Sequence, residues 1–172
     1  RSNMLEDQEI MKIYNKQPAH VTKHSSCGVI VPGVDTIAVS LANCCRPIPG
    51  DSIIGYISKG QGVKVHRADC PNIVNEKKRL IPVQWEEGLD EKQYEVNLII
   101  HSDDRNYLLS DIVTTLQQCN VYLKHVDSAV DDGNLEATTK LTVSVKNAAH
   151  LQNLISNLKK VRSVNEVIRT IQ

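Results

Sequence analysis

The chain has no phenylalanine, one tryptophan and five tyrosines among 172 residues. So few rings offer little platform for stacking bases, which argues against the mode of RNA recognition that works through splayed, stacked bases. Net charge is also missing, since twenty basic residues balance twenty acidic ones. Dividing the chain near Asp90 leaves each half close to neutral as well. Bulk attraction to phosphate is therefore weak, and any nucleic-acid contact has to come from local clusters. Two are present: Lys59, Lys64 and Arg67, and Lys77, Lys78 and Arg79. Each alone also reads as solvated surface. No apolar run approaches the roughly 20 residues that span a bilayer, and no basic-then-apolar leader pattern is seen. The expectation is a soluble, cytoplasmic protein with no membrane partner.

The chain does contain enough apolar sequence for a core: 41% hydrophobic and 23% charged residues are globular proportions. Its texture changes twice. Residues 1–26 are polar, with a short helical candidate at Met4 to Tyr14, and read as a linker or the tail of a preceding helical region. The chain as a whole then reads as a fragment. From 27 to 88 come short β-type runs, "GVIVPG", "TIAVSLA", "SIIGYIS" and "GVKVH", divided by Gly and Pro. Pro71 to Arg79 could hold one or two helical turns, and "LIPVQW" a last extended segment. Such a loop-rich domain has a thin core and gains from a staple.

After an acidic linker, residues 92–172 switch between two periods. "YEVNLIIHS" alternates as a strand, whereas "YLLSDIVTTLQQC" groups Leu108, Leu109, Ile112, Val113 and Leu116 on one helical face. "NVYLKHVDSAV" and "LEATTKLTVSV" flank "DDGN", a hairpin signal. "AAHLQNLISNLKKV" returns to helical spacing and "VNEVIRTI" closes as a strand. The predicted fold class is α+β: a small zinc-stapled β-rich domain followed by a ferredoxin-like βαββαβ unit.

Five cysteines is an odd number, with no sign of an oxidising compartment, so a disulfide framework explains them poorly. Cys44 and Cys45 are adjacent in "NCCRPIPGD", and His66 and Cys70 stand four apart in "HRADC". Three thiolates and an imidazole make a Cys₃His set suited to structural Zn²⁺, with no open position for a catalytic water. Adjacent cysteines depart from the usual two-to-four-residue spacing. Packing of small buried thiols, or an exposed thiol redox switch, fits the same residues. Cys27 is an alternative ligand, and Cys119 reads as core. His20, His24, His101, His125 and His150 read as surface or ordinary packing.

The stretch "VPGVDTIAVSLANCCRPIPGDSIIGYISKGQGVKVHRADCPN" resembles the zinc-finger domain of long RelA/SpoT homologues, the bifunctional alarmone synthetase/hydrolases of the stringent response. The βαββαβ unit resembles their C-terminal ACT domain, and the likeness covers about residues 20–172. It implies metal ligands at Cys44, Cys45, His66 and Cys70 and a regulatory role with no catalysis by this part. The full-length enzyme would be a GTP pyrophosphokinase and (p)ppGpp hydrolase. The implied partners are the large-subunit rRNA of a ribosome stalled with deacylated tRNA, the N-terminal catalytic half, and a second copy of the chain.

ACT domains also imply amino-acid binding at a helix start. Asp104, Arg105, Asn106 and Leu108 are then the candidate lining for a branched-chain amino acid such as valine or isoleucine. Tyr107 stands where the family often has Gly, and is expected to fill ligand space. Capping by Asp103 or Asn106 and a surface ion pair from Arg105 account for the same residues without a ligand. The rival functions are a stand-alone RNA-binding module and a thiol redox sensor.

Overall fold

The computed structural model describes residues 27–33, 37–60, 62–76, 78–88 and 92–171. The Met4 to Tyr14 helix, the rest of segment 1–26 and Lys77 lie outside the described residues. The chain divides into two compact units near residue 90.

The first unit contains β1 (Val29–Ile30), β2 (Val39–Leu41), β3 (Ile53–Ser58), β4 (Gly62–Arg67), β5 (Leu80–Ile81) and β6 (Gln84–Trp85). β1 pairs with β6, and the others form a sheet in the order β2-β4-β3-β5. β3 and β4 make an antiparallel hairpin from Ile53 opposite Arg67 to Ser58 opposite Gly62. Glycine is required at its return, because Gly62 has φ +81 and any Cβ there would run into the Ala38 carbonyl. β2 lies parallel to β4, with Leu41 beside Val65.

Alternation along β3 and β4 sends Ile57, Val63 and Val65 into a core with Val29, Val31 and Ile81. His66, the next residue after Val65, belongs to the other face. The expected helix at Pro71 to Arg79 is only a turn over 71–75, with the Val74 N–H on the Cys70 carbonyl at 3.1 Å. Arg79 then takes φ 69, which cannot continue a helix.

The second unit runs β7 (Tyr94–Asp103), α1 (Leu108–Gln118), β8 (Tyr122–Asp131), β9 (Glu136–Val145), α2 (Ala148–Lys159) and β10 (Val164–Arg169). Its sheet has the order β10-β7-β9-β8 with every neighbour antiparallel, the ferredoxin-like arrangement expected. At "DDGN" the Asp131 carboxylate accepts the Gly133 N–H at 2.9 Å and fixes the turn. One face of β7 and β9, including Val96, Leu98, Ile100, Leu141 and Val143, is buried with Ile112 and Leu116 of α1 and Leu151, Leu154 and Leu158 of α2.

The apolar face of α1 is narrower than its sequence suggests. Leu108, Ile112, Thr115 and Leu116 are buried, while Leu109 and Val113 stay 41% and 40% exposed. Steps of 100° carry those two onto the flank of the helix. The α2 N-terminus is fixed by Asn147, whose side chain accepts the His150 N–H at 2.9 Å. His150 Nδ1 accepts the Lys146 N–H at 3.1 Å, so its Nε2 carries the proton and donates to the Cys119 carbonyl at 2.8 Å. One imidazole thus ties the end of α1 to the start of α2.

Candidate metal centre

β2 ends beside β4, so the turn that leaves it emerges next to His66. The Ala42 N–H bonds the Val65 carbonyl at 2.9 Å, and the Arg46 N–H returns to the Ala42 carbonyl at 3.1 Å. Residues 42–46 therefore make one helical turn, closed by Arg46 at φ 44. In a strand, adjacent side chains diverge to opposite faces; in a tight turn they differ by about 100°. That is how two neighbouring cysteines serve one point. From the other side, a turn after β4 bonds the Cys70 N–H to the Arg67 carbonyl at 3.0 Å and brings the fourth side chain in.

The ligand atoms of Cys44, Cys45, His66 and Cys70 all lie within 4.8 Å of one another. Cys44 Sγ is 3.5 Å from His66 Nδ1 and 3.7 Å from Cys70 Sγ, and Cys45 Sγ is 3.8 Å from the same nitrogen. A tetrahedral zinc with ordinary bond lengths has S···S edges of about 3.8 Å and S···N edges of about 3.6 Å. The donor set and its spacing fit the ion. Cys27 lies apart, its thiol directed at the Val39 carbonyl at 3.7 Å, and Cys119 caps α1.

The surroundings set the three thiols apart in acidity. Burial pushes the Cys44 thiol up, but hydrogen bonds with Asn72, Cys70 and Cys45 outweigh it and leave the thiol below its ordinary value. Burial dominates at Cys45, pushed up to about 12 although the Arg67 N–H points at its sulfur from 3.3 Å. Cys70 is also raised by burial, with the Asn72 backbone opposing. Burial and then the nearby Lys64 charge lower His66, favouring the neutral ring that binds metals. A bound dication holds such thiols deprotonated. Asn72 and the Arg67 amide are outer partners that spacing did not reveal; the position of Asn72, two residues beyond a ligand and just after Pro71, was the available signal.

Residues 29–86 match the RelA/SpoT RIS domain family and residues 90–169 the ACT domain family. The chain belongs to the RelA/SpoT family. It is 34% identical over 172 residues to the GTP pyrophosphokinase of Haemophilus influenzae, covering 95% of this chain and 23% of that protein. It is 33% identical over 145 residues to the bifunctional (p)ppGpp synthase/hydrolase RelA of Mycobacterium tuberculosis, covering 83% of this chain and 19% of the relative. The chain thus spans less than a quarter of these relatives' length, and what it matches is their non-catalytic regulatory region. The second unit is also similar to the ACT domain of the Chlorobium tepidum GTP pyrophosphokinase, with 23% identity, 45% of this chain and 99% of that one covered, and a TM-score of 0.41.

The other candidate residues are distributed less favourably. In the RIS unit Lys59 and Lys78 are exposed and Lys64 is half-buried on β4. Arg67 is engaged in its own domain: its side chain is 15% exposed and pairs with Asp69 at 3.0 Å. Arg79 likewise turns its guanidinium onto the Ile57 carbonyl at 3.4 Å. In the ACT unit Arg105, also 15% exposed, is occupied by the Arg162 carbonyl at 3.0 and 3.2 Å, the Asn106 carbonyl at 3.0 Å and Asp111 at 2.7 Å. Its role in this structure is to brace the loop before α1. Asp104 and Asn106 are exposed, and Leu108 is buried. Tyr107 starts α1 at φ 64 with no side-chain cap bond and is 80% exposed. Positive φ is why glycine suits that position.

Proposed function

We propose that this chain is the zinc-stapled RIS–ACT regulatory region of a (p)ppGpp synthetase/hydrolase, coupling docking on a stalled ribosome to control of a catalytic half carried elsewhere in the protein. The observation that carries the reading is the Cys44, Cys45, His66 and Cys70 tetrahedron, set in a RIS domain and followed directly by an ACT domain. Zinc, when bound, cross-links two turns of the chain and supplies no reaction. The protein's own residues do the rest: the 42–46 turn aims two thiols, β4 presents His66, and Arg67 and Asn72 hold the sulfurs. Exposed Lys59 and Lys78, with Lys64, are the side chains available to rRNA phosphates. Such contacts are salt-dependent and poor in sequence information. Self-association belongs to the same reading.

The test is metal content by plasma mass spectrometry together with ribosome co-sedimentation. One zinc per chain, lost in Cys44→Ser and Cys70→Ser and kept in Cys119→Ser, supports the staple. Zinc-loaded protein that fails to pellet with ribosomes carrying deacylated tRNA, at low salt, overturns the docking reading. Amino-acid sensing is a second element, suggested by the uncapped start of α1. It requires millimolar valine or isoleucine to raise the melting temperature of the chain; an unchanged transition removes it.

A further inference from the structure

We propose that Cys44 is an oxidation site for a hydroperoxide such as hydrogen peroxide, with Cys70 as its resolving thiol, so that the metal centre gives way to a Cys44–Cys70 disulfide. This chemistry rests on the metal-site reading above and adds a reactant to it.

The cluster is open to solvent along one edge. Cys45, His66 and Cys70 are buried, whereas Cys44 is only half-buried. Its surroundings on that edge are exposed: Asn43 precedes it in the chain, and Asn72, just after exposed Pro71, hydrogen-bonds its sulfur with its side chain. A small oxidant arriving from water therefore meets the Cys44 sulfur first. The same thiolate that ligates a metal is the nucleophile in oxidation, and exposure decides which thiolate reacts. Cys27 and Cys119 are also half-buried but lie outside the cluster.

Geometry selects the partner. Successive Cα atoms stand about 3.8 Å apart across a trans peptide, short of the roughly 4.4–6.8 Å that an ordinary disulfide spans, which disfavours a bridge from Cys44 to Cys45. The Cys45 sulfur is also engaged by the Arg67 N–H at 3.3 Å. Cys70 comes from a separate turn, and its Sγ is already 3.7 Å from Cys44 Sγ. Rotation of two short side chains brings that pair toward a bond of about 2.05 Å. The bridge joins the same two turns that a metal ion joins.

The Cys44 thiolate attacks one peroxide oxygen: an S–O bond forms, the O–O bond breaks, and the departing hydroxide takes a proton from solvent. Cys44 is then a sulfenic acid. The Cys70 thiolate attacks the Cys44 sulfur, forming the S–S bond and expelling a second hydroxide, which is protonated likewise. Two electrons pass from the sulfurs to the peroxide, and hydrogen peroxide becomes two waters. Cys45 and His66 are the donors left, two where a structural tetrahedral site uses four, so the ion is released. A thiol reductant reverses the bridge by exchange.

The test exposes the chain, its zinc content first measured, to hydrogen peroxide. A chromogenic chelator reads zinc release, and tryptic mapping by tandem mass spectrometry reads the thiols. Release should keep pace with a disulfide joining Cys44 to Cys70, Cys45 should stay open to alkylation, and dithiothreitol should return both thiols. Cys44→His keeps four donors as a Cys₂His₂ set while removing the accessible thiol, and should lose zinc to peroxide at least about tenfold more slowly than wild type. Cys119→Ser should match wild type. The mapping needs no variant and decides the pairing even if Cys44→His fails to fold. A bridge from Cys70 to Cys45, sulfinic acid at Cys44 with no bridge, zinc and thiols unchanged after hours in millimolar peroxide, or release from Cys44→His at the wild-type rate would each overturn the proposal. A chain without zinc before treatment counts against the metal reading alone, because the Cys44–Cys70 bridge is still expected in it and is mapped in the same way.

Discussion

The two units solve the same problem with unequal means. The ACT unit has three ten-residue strands and one of six, with two helices of 11 and 12 residues, and buries a continuous set of leucines, isoleucines and valines. The RIS unit has strands of two to six residues and a buried cluster of six aliphatic residues. One sheet face of the RIS unit carries that core, while the other has His66 and the thiols. A small β-rich domain with so little apolar burial would gain most from a cross-link such as an ion at the Cys/His cluster, whereas its neighbour holds by packing.

Breaking the comparison at its strongest point means removing a ligand. Cys70→Ser should abolish zinc retention and the cooperative unfolding of residues 27–88, while NMR shifts of residues 92–171 persist; an unchanged RIS melting transition in zinc-free protein would contradict the dependence. The converse change is Leu154→Ala, at a fully buried α2 position. It should cost about 2–5 kcal/mol of ACT stability in denaturant titration, with zinc content untouched. A smaller effect is expected for His150→Leu, which loses the bonds to Cys119 and Lys146. About 1–3 kcal/mol should disappear from the same unit, read by amide exchange at the α1–α2 junction. Smallest is Tyr107→Gly, where relief of a positive φ should raise ACT stability by about 1 kcal/mol and its melting temperature accordingly.

What could be read before the structure follows the same division. The βαββαβ order was legible because long elements carry many repeats of their period, from Tyr94 to Arg169. The width of a buried face was not: Leu109 and Val113 share the helical spacing of Leu108 and Ile112, and only tertiary packing separates core from flank. In the RIS unit the ligand types and their grouping were legible, but adjacency of Cys44 and Cys45 looked awkward until the 42–46 turn supplied its geometry. Arg67 and Arg79 were singled out as contact residues from charge, and Arg105 as ligand lining from the resemblance to ACT domains. Charge alone does not reveal that a guanidinium already has a carbonyl or carboxylate beside it.

The parallel pairing of β2 with β4 bears on the order of assembly. β3 and β4 are consecutive and can close as a hairpin in about 1–10 µs. β2 must return across more than twenty residues to reach the far side of β4, Leu41 seeking Val65. That closure costs chain entropy before any packing rewards it. Cys44 and Cys45 lie three and four residues past Leu41, and His66 one past Val65. An ion captured early by these side chains would close the loop that β2 must close. The metal would then set the rate at which this domain emerges from the unfolded chain as well as its final stability.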